Sequence, residues 1–320
     1  ADLKEALVAS DVPEDPYLSK ELQRYFPQPL QQRYAELMEG HRLRREIIAT
    51  AVTNSTINRM GATFLMRMQE DTGASVGEIA KAYTISREVL DARALWTTID
   101  GLDGQVAEDV QIDALQQIWS LQRQLTRWLL GRPGQKLDIA EAVERYKPGL
   151  DALRAAMPGV LAADGREAHA AALAGWREAG LPEAFAAEMA VLGFLDAGLD
   201  IVELAVSRKQ PVADVARAWY GLGEGLQVGW MLARIEELPV EGRWHALARG
   251  ALRDELQAQQ RALALQVLQA GGQVQAWMDR DDAALKYTLA MLADIRTQRG
   301  VDYPTVQVAV RRLAQLAQAG

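Results

Sequence analysis

From His41 to Glu70 the chain runs HRLRREIIATAVTNSTINRMGATFLMRMQE, thirty residues without a proline. Leu43, Ile47, Ala51, Asn54, Asn58, Gly61, Leu65 and Met68 step by three or four, so they share one face of a helix. The spacing predicts a single helix of about 45 Å at 1.5 Å per residue, long enough to cross a small domain. Gly61 would lie in its seam as a point of close helix approach. Asn54 and Asn58 interrupt the same seam one turn apart and form a candidate buried polar pair that fixes register, unless the helix turns them outward.

The flanking segments read as further helices. Residues 1–14 are loosely patterned. Asp15-Pro16 is a helix start, and Pro27 should stop that helix at Phe26. Pro29 opens the next, which Gly40 either ends, kinks or merely thins before the long helix begins. Gly73 breaks the long helix, and Ser75 with Glu78 has capping-box spacing. Val76 to Trp96 then continues as one helix closed by Gly101 to Gly104. Val110 to Leu130 is strongly amphipathic and ends at Gly131-Arg132-Pro133-Gly134, a candidate subdomain boundary.

Beyond it the helices become shorter and alanine-rich. Asp138 with Glu141, and Asp164 with Glu167, repeat the cap spacing. Pro148, Pro158, Pro182, Pro211 and Pro239 are expected at helix starts or ends. Trp244 to Ala270 is a long helix stopped by Gly271-Gly272. Asp281 or Asp282 caps another helix to about Gln298, and Pro304 opens the terminal one. The expected fold is all-α, a helical array or bundle of long and short helices without a Rossmann domain. Three regions are expected: a connector over 1–40 with two short helices, a long-helix subdomain over 41–130, and an alanine-rich helical subdomain over 131–320, either separate from 41–130 or continuous with it.

Composition narrows the function. A net charge of −8 disfavours nonspecific binding to phosphate backbones or anionic membranes, so neither nucleic acid nor membrane is an expected partner. The absence of cysteine excludes disulfides and thiolate metal sites and fits a cytoplasmic protein. The chain starts at Ala1 without a methionine or a signal-like apolar core, and is expected to be a fragment. The three histidines, His41, His169 and His245, are far apart and in no metal-ligand spacing.

Two motifs imitate known sites. Gly221-x-Gly223-x-Gly225 suggests a dinucleotide loop, but no strand pattern precedes or follows it, so the glycines are read as permitting close helix packing. Ser75 to Leu90 has the outline of a DNA-binding helix-turn-helix. Its would-be reading helix carries Glu88 and Asp91 beside Arg87 and Arg93, and carboxylates are ill suited to face phosphates.

Three arginines stand apart. Arg44, Arg45 and Arg59 have no acid three or four residues away in either direction, whereas Arg42 has Glu39 and Glu46. Solvated surface is one outcome. The sharper expectation makes the three candidate interdomain contacts, meeting carboxylates outside this chain.

HRLRREIIAT, Asn58-Arg59-Met60-Gly61 and RMQEDTGAS together resemble the C-terminal part of the large bacterial NAD-specific glutamate dehydrogenases. The resemblance extends through PEDPYL, YFP and SREVLDARALW, weakens between about 105 and 210, and returns at WHALARGALRDELQAQQRAL. It implies that the dinucleotide fold and the catalytic lysine and aspartate lie upstream. This chain would then hold no catalytic, cofactor or metal residue, with NAD serving the parent enzyme. Its partners would be the upstream catalytic domain and, in a homo-oligomer, neighbouring subunits. The alternative is a free-standing helical adaptor, DNA-binding through residues 75–90.

Overall fold

The computed structural model describes residues 2–131, 137–298 and 300–319. Among them there is no strand, and the chain is all-α as its periodicity required. It divides into two compact units. The first holds Ala1–Leu150 and Ala179–Phe185, the second Asp151–Glu178 and Ala186–Gly320.

The first unit opens with helix α1 (Asp2–Ala9), where only a loose connector was expected. Two 3-10 turns follow, Val12–Glu14 and Pro16–Leu18. The Asp15 carboxylate accepts from the Tyr17 N–H at 2.9 Å, the cap that Asp15-Pro16 promised. Helix α2 (Ser19–Tyr25) stops at Phe26 before Pro27. Two short helices, α3 (Gln28–Gln31) and α4 (Ala35–Glu39), lead to Gly40.

The long helix is interrupted. Residues 44–60 form α5 (Arg44–Met60), and α6 (Phe64–Thr72) follows a break at Gly61. Gly61 has φ +83° and ψ 160°, a region open essentially to glycine alone, and a Cβ there would meet no atom within 4 Å. Gly61 therefore breaks the helix and packs nothing, correcting its expected place in a seam. The buried stripe of α5 runs through Ile47, Ile48, Ala49, Val52, Thr53 and Thr56. That face is turned away from Asn54 and Asn58, which are both exposed. The buried asparagine pair is corrected accordingly: the core lies one position round the helix.

Helix α7 (Val76–Val89) is the centre of this unit. Ser75 and Glu78 form the full capping box, and Gly77, Ile79 to Arg87 and Val89 are all buried. Helices α1, α5, α6, α8 (Ala92–Asp100) and α9 (Glu108–Leu130) pack around it. The helix is buried nearly all round although it carries Lys81, Thr84, Ser86 and Arg87, so those polar groups need partners inside the core. Phe64, Leu65 and Met68 of α6 cluster with Ile79 and Tyr83. The single helix expected from Val76 to Trp96 is two, because Asp91 takes left-handed φ 52° between α7 and α8. The candidate boundary at 131–134 falls mostly outside the described residues.

Helix α10 (Ile139–Val160) carries Pro148 and Pro158 within it, where both were expected at helix ends. Proline removes one backbone bond at a cost of about 3 kcal/mol. Tyr146, Leu150, Leu153, Met157 and Val160 are buried along the same helix and offset it. The Glu141 N–H donates to Asp138 at 2.9 Å, as expected.

In the second unit, α11 (Ala163–Glu178) has Asp164 inside its first turn, with its N–H donating to Glu224 at 3.2 Å. Asp164 is thus not a cap. Helix α12 (Glu183–Leu192) starts in the first unit and enters the second at Ala186; α13 (Gly198–Arg208), α14 (Val212–Gly225) and α15 (Val228–Glu237) lead on to α16 (Arg243–Gln269). Helix α16 packs on α14, α15 and the terminal helix, after Gly271-Gly272 ends it. Short α17 (Val274–Met278), α18 (Ala283–Thr297), capped by Asp282, and α19 (Tyr303–Ala319) complete the unit.

Candidate functional site

Helix α7 carries an arginine into the core of the first unit. Arg87 has a side-chain exposure of 2 %. A buried guanidinium must have its charge and its donors satisfied. Nη2 donates to Glu21 of α2 at 3.0 Å and to Glu88 at 2.7 Å, and Nη1 donates to the Ser55 hydroxyl of α5 at 3.1 Å. Glu21 also accepts from Arg93 of α8 at 2.6 Å. The other oxygen of Glu88 accepts from the Tyr17 hydroxyl at 3.0 Å and pairs with Lys20 at 3.6 Å. Tyr83 donates to the Ser55 carbonyl at 2.9 Å. One ionic cluster therefore ties α2, α5, α7, α8 and the turn before α2 together.

Its charge states follow from its neighbours. Burial pushes the Glu88 carboxyl up, but the Arg87 charge and hydrogen bond outweigh it and leave it below the usual carboxylate range. Burial and the adjacent Glu88 push the Tyr17 phenol up to about 12. Burial lowers Arg87, yet Glu21 and Glu88 hold it above its ordinary value. Glu88, Tyr17 and Arg87 are each held in one protonation state near neutrality, which suits holding helices together and not moving protons.

Arg44 and Arg45 are held inside this unit. Arg44 donates to the Pro13 carbonyl at 2.8 Å and to Ser19 at 3.3 Å, and pairs with Glu39 at 3.3 Å and Glu14 at 3.4 Å. Arg45 pairs with Glu14 and donates to the carbonyls of Val8 at 2.6 Å and Ser10 at 2.9 Å. The Val8 carbonyl lies in the last turn of α1, the partly negative end of that helix. Arg59 lies 3.6 Å from Asp100 and over the Trp96 ring at 4.7 Å. All three have partners inside the first unit: acids distant in sequence, beyond the reach of a search at helical spacing, pair with them.

The remaining motifs resolve as packing. Helix α7, the supposed DNA-reading element, is core, and Arg87, Glu88 and Arg93 belong to the ionic cluster. A Cβ at Gly223 would stand 2.8 Å from Gln260 Nε2, and one at Gly225 would stand 2.9 Å from Met278 Cε. Gln260 donates to the Trp219 carbonyl at 3.1 Å, so these glycines admit α16 and α17 against α14. An open concavity beside α7 is lined by Ser10, Asp11, Gln69, Ser75, Glu78 and Lys81. Its Lys81 ammonium is bound by Asp11 at 2.6 Å, and the α7 cap is filled by Ser75 and Glu78. His41 faces Phe26, His169 faces Phe194 and His245 stacks on Tyr303. Among the described residues no group of three or more His, Asp or Glu could hold a metal ion. No described helix is long and apolar enough to cross a membrane.

The family model described as glutamate dehydrogenase, C-terminal, matches residues 1–315. The chain belongs to this family. Among its relatives, the NAD-specific glutamate dehydrogenase of Pseudomonas aeruginosa is 37 % identical over 325 aligned positions, covering 99 % of this chain and 20 % of the relative. The corresponding proteins of Halomonas elongata and Mycobacterium tuberculosis are 32 % and 26 % identical, covering 99 % and 98 % of this chain and again 20 % of each relative. The chain thus spans about a fifth of the length of the curated relatives it matches. The family match runs through both compact units, including the segment between 105 and 210 where the sequence resemblance is weaker.

Proposed function

We propose that this chain is a non-catalytic helical domain of a longer NAD-dependent glutamate dehydrogenase, and that it serves packing between domains or subunits. The parent enzyme would convert L-glutamate to 2-oxoglutarate and ammonia while reducing NAD, and would act as a homo-oligomer. What carries the reading is the near-complete match of the chain to relatives of that name, each about five times its length. The interior supports it. The conspicuous charges, Arg87, Glu21, Glu88, Arg44 and Arg45, are spent on joining helices, and the glycine triplet of α14 is occupied by Gln260 and Met278.

The test compares the longer protein with the 320-residue chain. The longer protein should reduce NAD in the presence of glutamate. The chain alone should show neither turnover nor heat of NAD binding by calorimetric titration. Saturable micromolar NAD binding by the chain, or a longer protein inert toward glutamate, would overturn the reading.

A further inference from the structure

The first unit begins with a segment that is tied into the core although its helices are short. Leu7 of α1, Val12 and Leu18 of the 3-10 turns and Leu22 of α2 are all buried. The same segment has polar ties to later helices along its length. Arg45 of α5 donates to the Val8 carbonyl at 2.6 Å and the Ser10 carbonyl at 2.9 Å, and Arg44 donates to the Pro13 carbonyl at 2.8 Å. Lys81 of α7 donates to Asp11 at 2.6 Å, Tyr17 donates to Glu88 at 3.0 Å, and Glu21 accepts from Arg87 at 3.0 Å.

The arm that follows, residues 27–43, is built differently. Between residues 27 and 40 only Met38 is buried. Helices α3 and α4 have four and five residues, far below the length at which a helix holds without packing. Arg33 stands exposed in the turn between them, and Arg42 stands exposed in the turn before α5. Gln31 Nε2 donates to the Phe26 carbonyl at 2.8 Å, Phe26 meets His41 edge-on at 5.9 Å, and Glu39 pairs with Arg44 at 3.3 Å.

We infer that residues 2–26 form a strap docked on α5 and α7 by its own side chains, and that the arm is a protease-sensitive site whose cleavage leaves the strap in place. Segments open locally at a free energy set by what they bury, and proteolysis follows the opened population. The arm buries Met38 alone between 27 and 40, so it opens while the ionic cluster stays closed. Opening offers Arg33 and Arg42 to a trypsin-type protease. Water then adds across the Arg33–Tyr34 peptide bond, leaving a carboxylate on Arg33 and an amine on Tyr34. The bonds from Arg44, Arg45, Lys81, Arg87 and Glu88 to the strap all lie outside the arm and survive the cut. The inference concerns how this chain is held together and stands whatever the longer protein catalyses.

Brief trypsin digestion of the 320-residue chain, stopped with inhibitor, tests both halves of this. Mass spectrometry should find an amino-terminal product ending at Arg33 or Arg42 before any cut at Arg59 within α5. Size-exclusion chromatography in native buffer should show that product eluting with the remainder of the chain, and urea should separate the two. A product that elutes free in native buffer would overturn the docked strap. Survival of the arm until Arg59 is cut would overturn the cleavage site. Arg44→Ala combined with Arg45→Ala supplies a second readout on the same nicked chain. That variant should release the product several-fold faster, and an unchanged release rate would overturn the assignment of the hold to these bonds.

Discussion

Arg87 and Glu21, 66 positions apart in sequence, meet at 3.0 Å with side-chain exposures of only 2 % and 9 %. Removing one member of a buried pair leaves the other charged, desolvated and uncompensated, which costs about 3–5 kcal/mol. Arg87→Met should destabilise the chain by that order, seen as a lowered urea midpoint. Arg87→Lys should recover only part of the loss, because an ammonium lacks the planar fork that reaches Glu21, Glu88 and Ser55 together. A shift below about 1 kcal/mol for Arg87→Met would mean that the cluster does not hold the unit together.

Arg44 and Arg45 anchor the segment from Val8 to Ser19, so they matter to the chain itself. Arg44→Ala combined with Arg45→Ala removes charge-assisted bonds to Pro13, Val8 and Ser10. Such bonds contribute about 1.5–3 kcal/mol each when buried, but Arg45 is 40 % exposed and its share must be discounted. The double variant should lose about 1–2 kcal/mol on that footing and be cut faster by protease near Val12. Stability within about 0.5 kcal/mol of the parent, the usual range for surface changes, would return these arginines to simple solvation.

Local rules were readable wherever they act over a few residues. The capping box at Ser75, the caps at Asp15, Asp138 and Asp282, the stop at Phe26 and the Gly271-Gly272 end all follow from side chains bonding to backbone nearby. The site was not readable, because its partners are remote. Nothing near Arg87 in sequence announces Glu21, and Arg44 and Arg45 look unpaired until α1 and the turns fold back on α5. Proline misled where packing wins: buried side chains along α10 keep it helical through Pro148. Gly61 misled for the opposite reason, since its positive φ ends a helix that its small size suggested was packed.

Acid should loosen the ionic cluster. The Glu88 carboxyl lies below its unfolded value of 4.5 in the folded chain, so in the acid range the unfolded state binds more protons. Its contribution is therefore complete above pH 4.5 and is lost as pH falls through the folded value. Glu88→Gln should be destabilised at neutral pH, and the gap to the parent should narrow in acid. Urea midpoints measured from pH 7 down to pH 3 would show it, and a gap constant across that range would rule out this role for Glu88.

Gly61 and Gly223 separate backbone strain from close packing. At Gly61 a side chain meets nothing within 4 Å, and the penalty is the φ of +83° alone. Gly61→Ala and Gly61→Leu should then cost the same, about 1–3 kcal/mol, because any residue with a Cβ pays for that conformation and size adds nothing. At Gly223 the conformation is helical and the penalty is space. Even a methyl would stand 2.8 Å from Gln260 Nε2, and Gln260 can yield only by giving up its bond to the Trp219 carbonyl. Gly223→Ala should cost about 1–3 kcal/mol, with Gly223→Leu markedly worse. Gly225→Ala should cost less than Gly223→Ala, since the atom in its way is the mobile methyl end of Met278. Chemical denaturation of the five variants gives the pattern directly. Size dependence at Gly61, or none at Gly223, would reverse the assignment of the two glycines.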